Sequence, residues 1–239
     1  MKIYFFDTET TGNQRDSRLC QLAIKEFGID EPVLNTLYKP DTPIPIECTM
    51  VHGITNKAVA SKPRFQDSPE YASIKELFES PDTLVIAHNA AFDEQILKND
   101  GITPTNVICT LKVMRELDQE GKFAMHKLQY LRYALDMELE APAHDAWGDV
   151  LVLEKLFIYE LEQAKEKWNT DDEGALAEMM RITREPITFR HFSFGKYKGQ
   201  LIAEVATNDP GYLRWLLEQK RQSDQDETDW INTLQKYLG

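Results

Sequence analysis

Three cysteines, Cys20, Cys48 and Cys109, are too few and too irregularly placed for a disulfide framework or a Cys-x-x-Cys zinc site. They read as small apolar residues of a chain kept in a reducing compartment, the cytoplasm. No apolar stretch approaches the roughly 18 residues needed to span a bilayer, and the run Ile3-Tyr4-Phe5-Phe6 is stopped by Asp7, so neither a membrane helix nor a signal peptide is expected. Positive charge is scarce as well: 27 Lys and Arg against 40 Asp and Glu leave a net charge of −13. Such a chain repels nucleic acid at long range, and any polyanionic partner has to be held by local features. What the sequence does have, 42% hydrophobic residues in 239, suffices for one sizeable core and a small appendage.

The opening apolar run is short, aromatic and β-branched, as buried strands are. Asp7-Thr8-Glu9 follows directly and leads to a turn at Thr10-Thr11-Gly12. Side chains two apart on a strand share a face, with Cα atoms roughly 6.5–7 Å apart, so Asp7 and Glu9 project side by side from the strand's end. At 4 Å and an effective dielectric of 20, two like charges repel by about 4 kcal/mol. The pair therefore needs a cation, a shared proton or solvent, and hard divalent ions favour such oxygen ligands. Taken alone, the triplet is also what a solvated strand end looks like.

Residues 19–27 and 33–38 read as two further strands of an antiparallel meander, broken at 28–32. Pro40, Pro43 and Pro45 force an extended loop, and residues 50–55 lead into a short helix that Thr55 can cap. His52 there reads as a hydrogen-bonded structural residue rather than a ligand. Residues 67–79 carry Tyr71, Ile74, Leu77 and Phe78 at helical spacing, and 83–88 read as a second buried strand, with Asn89 placed to cap the helix behind it. Asp93 then falls near the carboxyl end of that strand, where ligands gather in open α/β sheets, although an acid there also complements the helix dipole. A short strand from Val107 and helices near 111–117 and 126–136 follow, the second holding His126 in a structural role. A long helix then begins near His144, with Trp147, Val150, Leu151, Leu153, Leu156, Phe157 and Leu161 as its apolar stripe. In an unbroken helix, positions five apart differ by about 140°. His144 and Asp149 thus share a site only if His144 lies on the loop before the helix, which Pro142 and Gly148 favour; otherwise one of the two has no part in it.

Asp7-Thr8-Glu9 with Thr11-Gly12, then Ala87-His88-Asn89-Ala90-Ala91-Phe92-Asp93, then His144-Asp145-Ala146-Trp147-Gly148-Asp149 stand in an order and at separations that resemble the DEDD exonuclease superfamily in its histidine-bearing branch. The resemblance covers residues 1–165 and implies an α/β fold, a ribonuclease H-like mixed five-stranded sheet flanked by helices. It implies two Mg2+ ions, for which Mn2+ can substitute, and removal of nucleotides from 3′ ends. It further implies Asp7, Glu9, Asp93 and Asp149 as metal carboxylates, His144 as general base, and Thr8, Thr11, Gly12, Asn89 and Phe92 beside the substrate. The chain departs in one respect: many members carry Leu after the Thr-Gly, where it meets terminal bases, and Asn13 stands here. The residue chemistry agrees with the resemblance. Four carboxylates bring a charge of about −4, which two divalent cations offset, and paired metals stabilise both the attacking and the leaving oxygen of a phosphoryl displacement. A histidine with a pKa near 6.5 accepts a proton from water at neutral pH.

From Tyr159 the composition turns acidic, and 169–174 reads as a helix end and joint. Residues 166–187 are taken as an acidic-to-basic linker between an exonuclease domain, 1–165, and a small α+β module, 188–239. Arg181, Arg184, Arg190, Lys196 and Lys198 are met by only Glu185 and interleave with Phe189, Phe192, Phe194 and Tyr197. This mixture suits a single-stranded backbone and its bases, with Arg190, Lys196 and Lys198 as candidate contacts. At least two of the four aromatics are expected instead in the module's own hairpin core. Phe194-Gly195-Lys196-Tyr197-Lys198-Gly199 with Asp209-Pro210-Gly211-Tyr212-Leu213-Arg214-Trp215-Leu216 resembles the carboxy-terminal module of exodeoxyribonuclease X-type enzymes. The expected partner is DNA with a single-stranded or frayed 3′ end. RNA stays open, since nothing recognisably reads a 2′-hydroxyl. The alternatives are a proofreading, epsilon-like polymerase subunit, for which no docking tail is evident, an exoribonuclease of the same branch, and a catalytically silent nucleic-acid-binding module, against which the complete acid set argues.

Overall fold

The structure, a computed structural model, describes residues 1–139, 144–223 and 227–239; Pro142 lies outside the described residues. Two compact units are distinguished, residues 1–111 with 127–162 and residues 112–126 with 163–239. The strands are β1 (Lys2–Thr10), β2 (Leu19–Glu26), β3 (Pro32–Leu37), β4 (Thr83–Ala87) and β5 (Val107–Cys109). The helices of the first unit are α1 (Ile46–His52), α2 (Asn56–Val59), α3 (Tyr71–Glu79), α4 (Ala90–Asn99) and α6 (Leu128–Ala134), while α5 (Thr110–Leu117) and α7 (Ala146–Trp168) begin in the first unit and run on into the second. In the second unit lie α8 (Asp172–Arg184), α9 (Ile202–Asn208), α10 (Pro210–Arg221) and α11 (Thr228–Leu238).

The five strands form one mixed sheet in the order β3-β2-β1-β4-β5. β1 pairs antiparallel with β2 and parallel with β4, a central place that suits its aromatic run. As expected, the acids lie on the last part of the strand, which runs through them to Thr10. Alternation along β1 decides what each face meets. Tyr4 and Phe6 are buried with Ile74 and Phe78 of α3 and with Ala90, Ile96 and Leu97 of α4. On the opposite face, Phe5 packs edge-on against Phe157 of α7 with ring centroids 5.5 Å apart. Lys25, the cross-strand partner of Phe5, shares that face; it is 1% exposed and pairs with Glu154 of α7 at 2.9 Å. Because an uncompensated buried charge costs several kcal/mol, this pair holds α7 against β2.

Thr55 caps a short helix as expected: its hydroxyl accepts from Ala58 N at 3.1 Å at the start of α2. Two local features differ from expectation. The segment before Thr55 is already helical in α1. His126 lies in the segment before α6 rather than in a helix, and pairs with Asp118 Oδ2 at 2.8 Å.

In the second unit, α8 occupies residues taken above as linker. Asp171 caps it by accepting from Gly174 N at 2.9 Å; Asp172 and Glu173 sit in its first turn, Arg181 and Arg184 in its last. The switch from acidic to basic is thus the charge pattern that complements one helix dipole. The helices α9, α10 and α11 bury Ile202, Val205, Leu213, Leu216, Trp230 and Leu234, and among the described residues of this unit the β content is one bridge, His191 with Leu201. Phe192 is 1% exposed, and Phe189, Phe194 and Tyr197 pack against the same cluster. All four aromatics therefore belong to the module's core.

Candidate active site

The Phe5–Phe157 contact sets the level at which the site forms. As β1 runs on from Phe5 to Asp7 and Glu9, α7 runs back about two turns from Phe157 to Asp149. The carboxylate oxygens of Asp7, Glu9 and Asp149 consequently lie within 4.8 Å of one another. Asp93 arrives from the other layer, in the first turn of α4; it is 3% exposed and its Oδ1 accepts a hydrogen bond from the Thr8 hydroxyl at 2.6 Å. It stands outside the close trio, yet its charge is the largest of those acting on Asp7.

The field of four acids is visible in their proton affinities. Burial, then the charges of Asp93, Asp149 and Glu9, push the Asp7 carboxyl well above the usual range. Burial and the charges of Asp149 and Asp93 push Glu9 up to about 8. Burial lifts Asp93 to about 7 against the hydrogen bond from Thr8. Burial raises Asp149 too, opposed by a hydrogen bond from Gln129 and by the charge of His144. No hydrogen-bond donor reaches Asp7 or Glu9 among the described residues.

His144 lies on an exposed turn before α7, in the left-handed region at φ 58°, which resolves the geometric conflict with Asp149: the helix starts only at Ala146. Asp145 holds that turn. Its Oδ1 accepts from Gln21 Nε2 at 3.1 Å and its Oδ2 from Gly148 N at 3.2 Å, while its carbonyl accepts from Asp149 N at 2.9 Å. Gln21 is the cross-strand partner of Glu9 and also donates to Asn35 of β3 at 3.0 Å. Asp145 and Gln129 were missed from sequence. Asp145 carries a legible signal, an N-cap acid just before an apolar-periodic stretch; Gln129 carries none.

The remaining candidates divide. Thr11 closes the turn after β1, its hydroxyl accepting from Arg18 N at 3.0 Å, and Gly12 leaves room that a Cβ, 3.0 Å from Ser17 Oγ, would fill. Asn89 occupies the N-cap position of α4 in the left-handed region, φ 69°, but its side chain makes no capping bond and is exposed; Phe92 is half-buried against the sheet's core. The structural role given to His52 fits its two bonds, to Thr10 O at 3.2 Å and from Ile54 N at 3.0 Å. In the second unit, Arg190 is paired with Glu120 at 3.0 Å and Lys196 with Asp209 at 3.3 Å, whereas Lys198 is exposed with no ion pair among the described residues.

A mixed sheet flanked by helices, with acids brought together from its central strand and two helices and a histidine on the turn beside them, defines a nuclease of the ribonuclease H-like type. Residues 4–157 match the exonuclease family RNase_T, and residues 192–221 match the exodeoxyribonuclease X-like C-terminal family. The chain belongs to this exonuclease family. It is 34% identical over 221 residues to exodeoxyribonuclease 10 of Escherichia coli (strain K12), covering 90% of both chains. Among solved structures it resembles exonuclease X in complex with 5′-overhanging duplex DNA, at 26% identity and a TM-score of 0.57 over 76% of this chain and 99% of that one. It shares its fold with E. coli exonuclease I in complex with a dT13 oligonucleotide, at 23% identity and a TM-score of 0.60 over 70% and 42% of the two chains. Dependence on a divalent metal is general to the family, and Asp7, Glu9 and Asp149 form an acidic group close enough together to hold a metal ion. Among the described residues no helix is long and apolar enough to cross a membrane.

Proposed function

We propose that the chain is a 3′→5′ exodeoxyribonuclease that hydrolyses phosphodiester bonds at DNA 3′ ends with two magnesium ions, for which manganese can substitute. The observation that carries this reading is the convergence of Asp7, Glu9 and Asp149 within 4.8 Å, with no hydrogen-bond donor to the first two carboxyls among the described residues. The donor set fits a hard divalent cation: all oxygen, mutually repelling, and, with Asp93 counted and all four carboxyls deprotonated, of charge about −4. Asp7, Glu9, Asp93 and Asp149 would hold the ions, which when bound supply Lewis-acid stabilisation of the attacking and leaving oxygens.

The chain's own groups do the rest. An imidazole nitrogen of His144 accepts the proton of the attacking water, and the left-handed turn lets it address the same site as Asp149. Gln129 orients the Asp149 carboxylate and Thr8 fixes that of Asp93. Thr11 and Gly12 shape the turn beside Glu9, while Asn89 and Phe92 offer an amide and a ring edge to the terminal nucleotide. The match of residues 192–221 to the exodeoxyribonuclease X-like module favours this type over a polymerase proofreading subunit.

Digestion of a 3′-labelled single strand with and without magnesium tests the reading. Label should leave as mononucleotide only with the metal. Release that persists in chelator, or in Asp7→Asn, would sink it. Paired DNA and RNA strands of one sequence decide the sugar preference.

A further inference from the structure

The aromatics of the carboxy-terminal module are inside it, with one exception. Trp215 on α10 is 55% exposed, while Trp147 and Trp168 are half-buried and Trp230 is buried. Its ring is not loose: it packs against Tyr212 with centroids 5.5 Å apart, and Tyr212 meets Tyr197 edge-on at 4.9 Å. Asp209 fixes this group, accepting from Tyr197 Oη at 2.7 Å and capping α10 through Tyr212 N at 3.1 Å. The turn at residues 194–199 is docked onto the same group, since Gly195, at φ 72°, has no room for a Cβ, which would stand 2.8 Å from Tyr212 Oη. That turn presents Lys196, whose Nζ lies 4.6 Å from the Tyr197 ring centre, and Lys198, both exposed.

Trp215 is thus a braced, planar, solvent-facing ring joined through two tyrosines to a turn with two lysines. We propose that this surface, Trp215 with Lys198, binds single-stranded nucleic acid, Trp215 stacking on a base while Lys198 meets the backbone. The proposal rests on the reading of the chain as a DNA exonuclease. Two observations favour nucleic acid over a protein partner. The exposed neighbours of Trp215 on its helix are Gly211, Arg214, Glu218 and Gln219, with Glu218 paired to Arg221 at 3.0 Å. Along α10 the ring therefore has polar residues and a glycine as its exposed neighbours, not the apolar stripe that a helix covered by a protein partner would show. In a chain of net charge −13, the turn's unopposed Lys198 and the adjacent Arg214 are the local cations that a polyanion needs. Arg190, paired with Glu120, and Lys196, paired with Asp209 at 3.3 Å, are not among the cations this surface offers.

The test uses the full chain in chelator, so that bound strands are not cut, and fluorescence anisotropy with two 5′-labelled probes: a 15-nucleotide oligothymidylate and an abasic strand of equal length. Trp215→Ala should weaken oligothymidylate binding by about 5- to 100-fold, Trp215→Phe should restore most of it, and the abasic strand should be indifferent to both. Lys198→Ala should lower the slope of log affinity against log salt by about 0.7 on either probe, a change that Trp215→Ala should not produce. Unchanged oligothymidylate binding by Trp215→Ala, or an equal loss on the abasic strand, would overturn the proposal and leave the ring to a protein contact. Digestion of labelled DNA by the wild-type chain with magnesium tests the exonuclease reading separately: activity without an effect of Trp215→Ala rejects the surface alone.

Discussion

Glu9→Gln reads the electrostatic field of the site directly. The folded, metal-free chain holds the Glu9 proton up to about pH 8, because of burial and the charges of Asp149 and Asp93, while the unfolded chain releases it near 4.5. Between those values the folded state binds more protons than the unfolded one, so stability is fully present below pH 4.5 and falls as pH rises toward 8, by up to about 1.4 kcal/mol per unit. Across roughly 3.5 units the loss approaches 5 kcal/mol for the isolated group, and partial solvent access reduces it to about 2–3 kcal/mol. Gln matches Glu in shape, carries no charge and strands no partner, since no donor reaches Glu9. In chelator at pH 8, Glu9→Gln should therefore melt roughly 4–12 °C above the wild type, with the advantage gone at pH 4. Magnesium should narrow or reverse the order, because binding to the native state stabilises the wild type by mass action and the variant far less. Differential scanning fluorimetry across pH 4–9, with chelator and with magnesium, measures both, beside a nuclease assay in which the variant should be inactive. A variant less stable than wild type in chelator at pH 8, or one equally stabilised at pH 4, would refute the account of the acids as a repelling cluster.

His144→Ala should lower turnover by roughly 10²–10⁴-fold with magnesium affinity nearly unchanged by calorimetry; joint loss of metal binding would make His144 a ligand instead. Gln129→Leu removes the amide that holds Asp149 and should weaken divalent-ion affinity by about 10- to 100-fold in the same titration, whereas an unaltered affinity would show that Asp149 needs no such support. Lys25→Ala leaves the largely covered Glu154 without its cation, with, among the described residues, only the Gly28 N–H still donating to it, and should cost about 2–3 kcal/mol in denaturant unfolding; a loss below 1 kcal/mol would mean that water reaches the pair.

Much of the sheet is legible because each strand is a short apolar run bounded by turn residues, and α7 because its stripe spans many turns. Other features escape for identifiable reasons. α1 shows no core-facing period, since it has no buried residues and exposes Ile46, Met50 and Val51. α8 hides behind a charge gradient that reads as a linker until it is matched to a helix dipole. Among the candidate site residues, the local sequence around His144 and Asp149 leaves open where the helix begins, and the structure places His144 on the turn before it, at a positive φ. Gln129 is invisible because only tertiary packing brings it to Asp149.

The two-sidedness of β1 also governs which length changes the gene can accept. Losing or gaining one codon between Phe5 and Glu9 would rotate every later side chain of the strand to the other face. Thr8 and Thr10 would then look toward α7, and the carboxylates would be driven among Tyr4, Phe6 and Ile96. Chemistry and folding would fail in the same event, leaving no partially active variant for selection to repair. Residues 13–16, all exposed, can change in number without shifting that frame. Homologous genes should accordingly align without gaps across β1 and gather their insertions just beyond it.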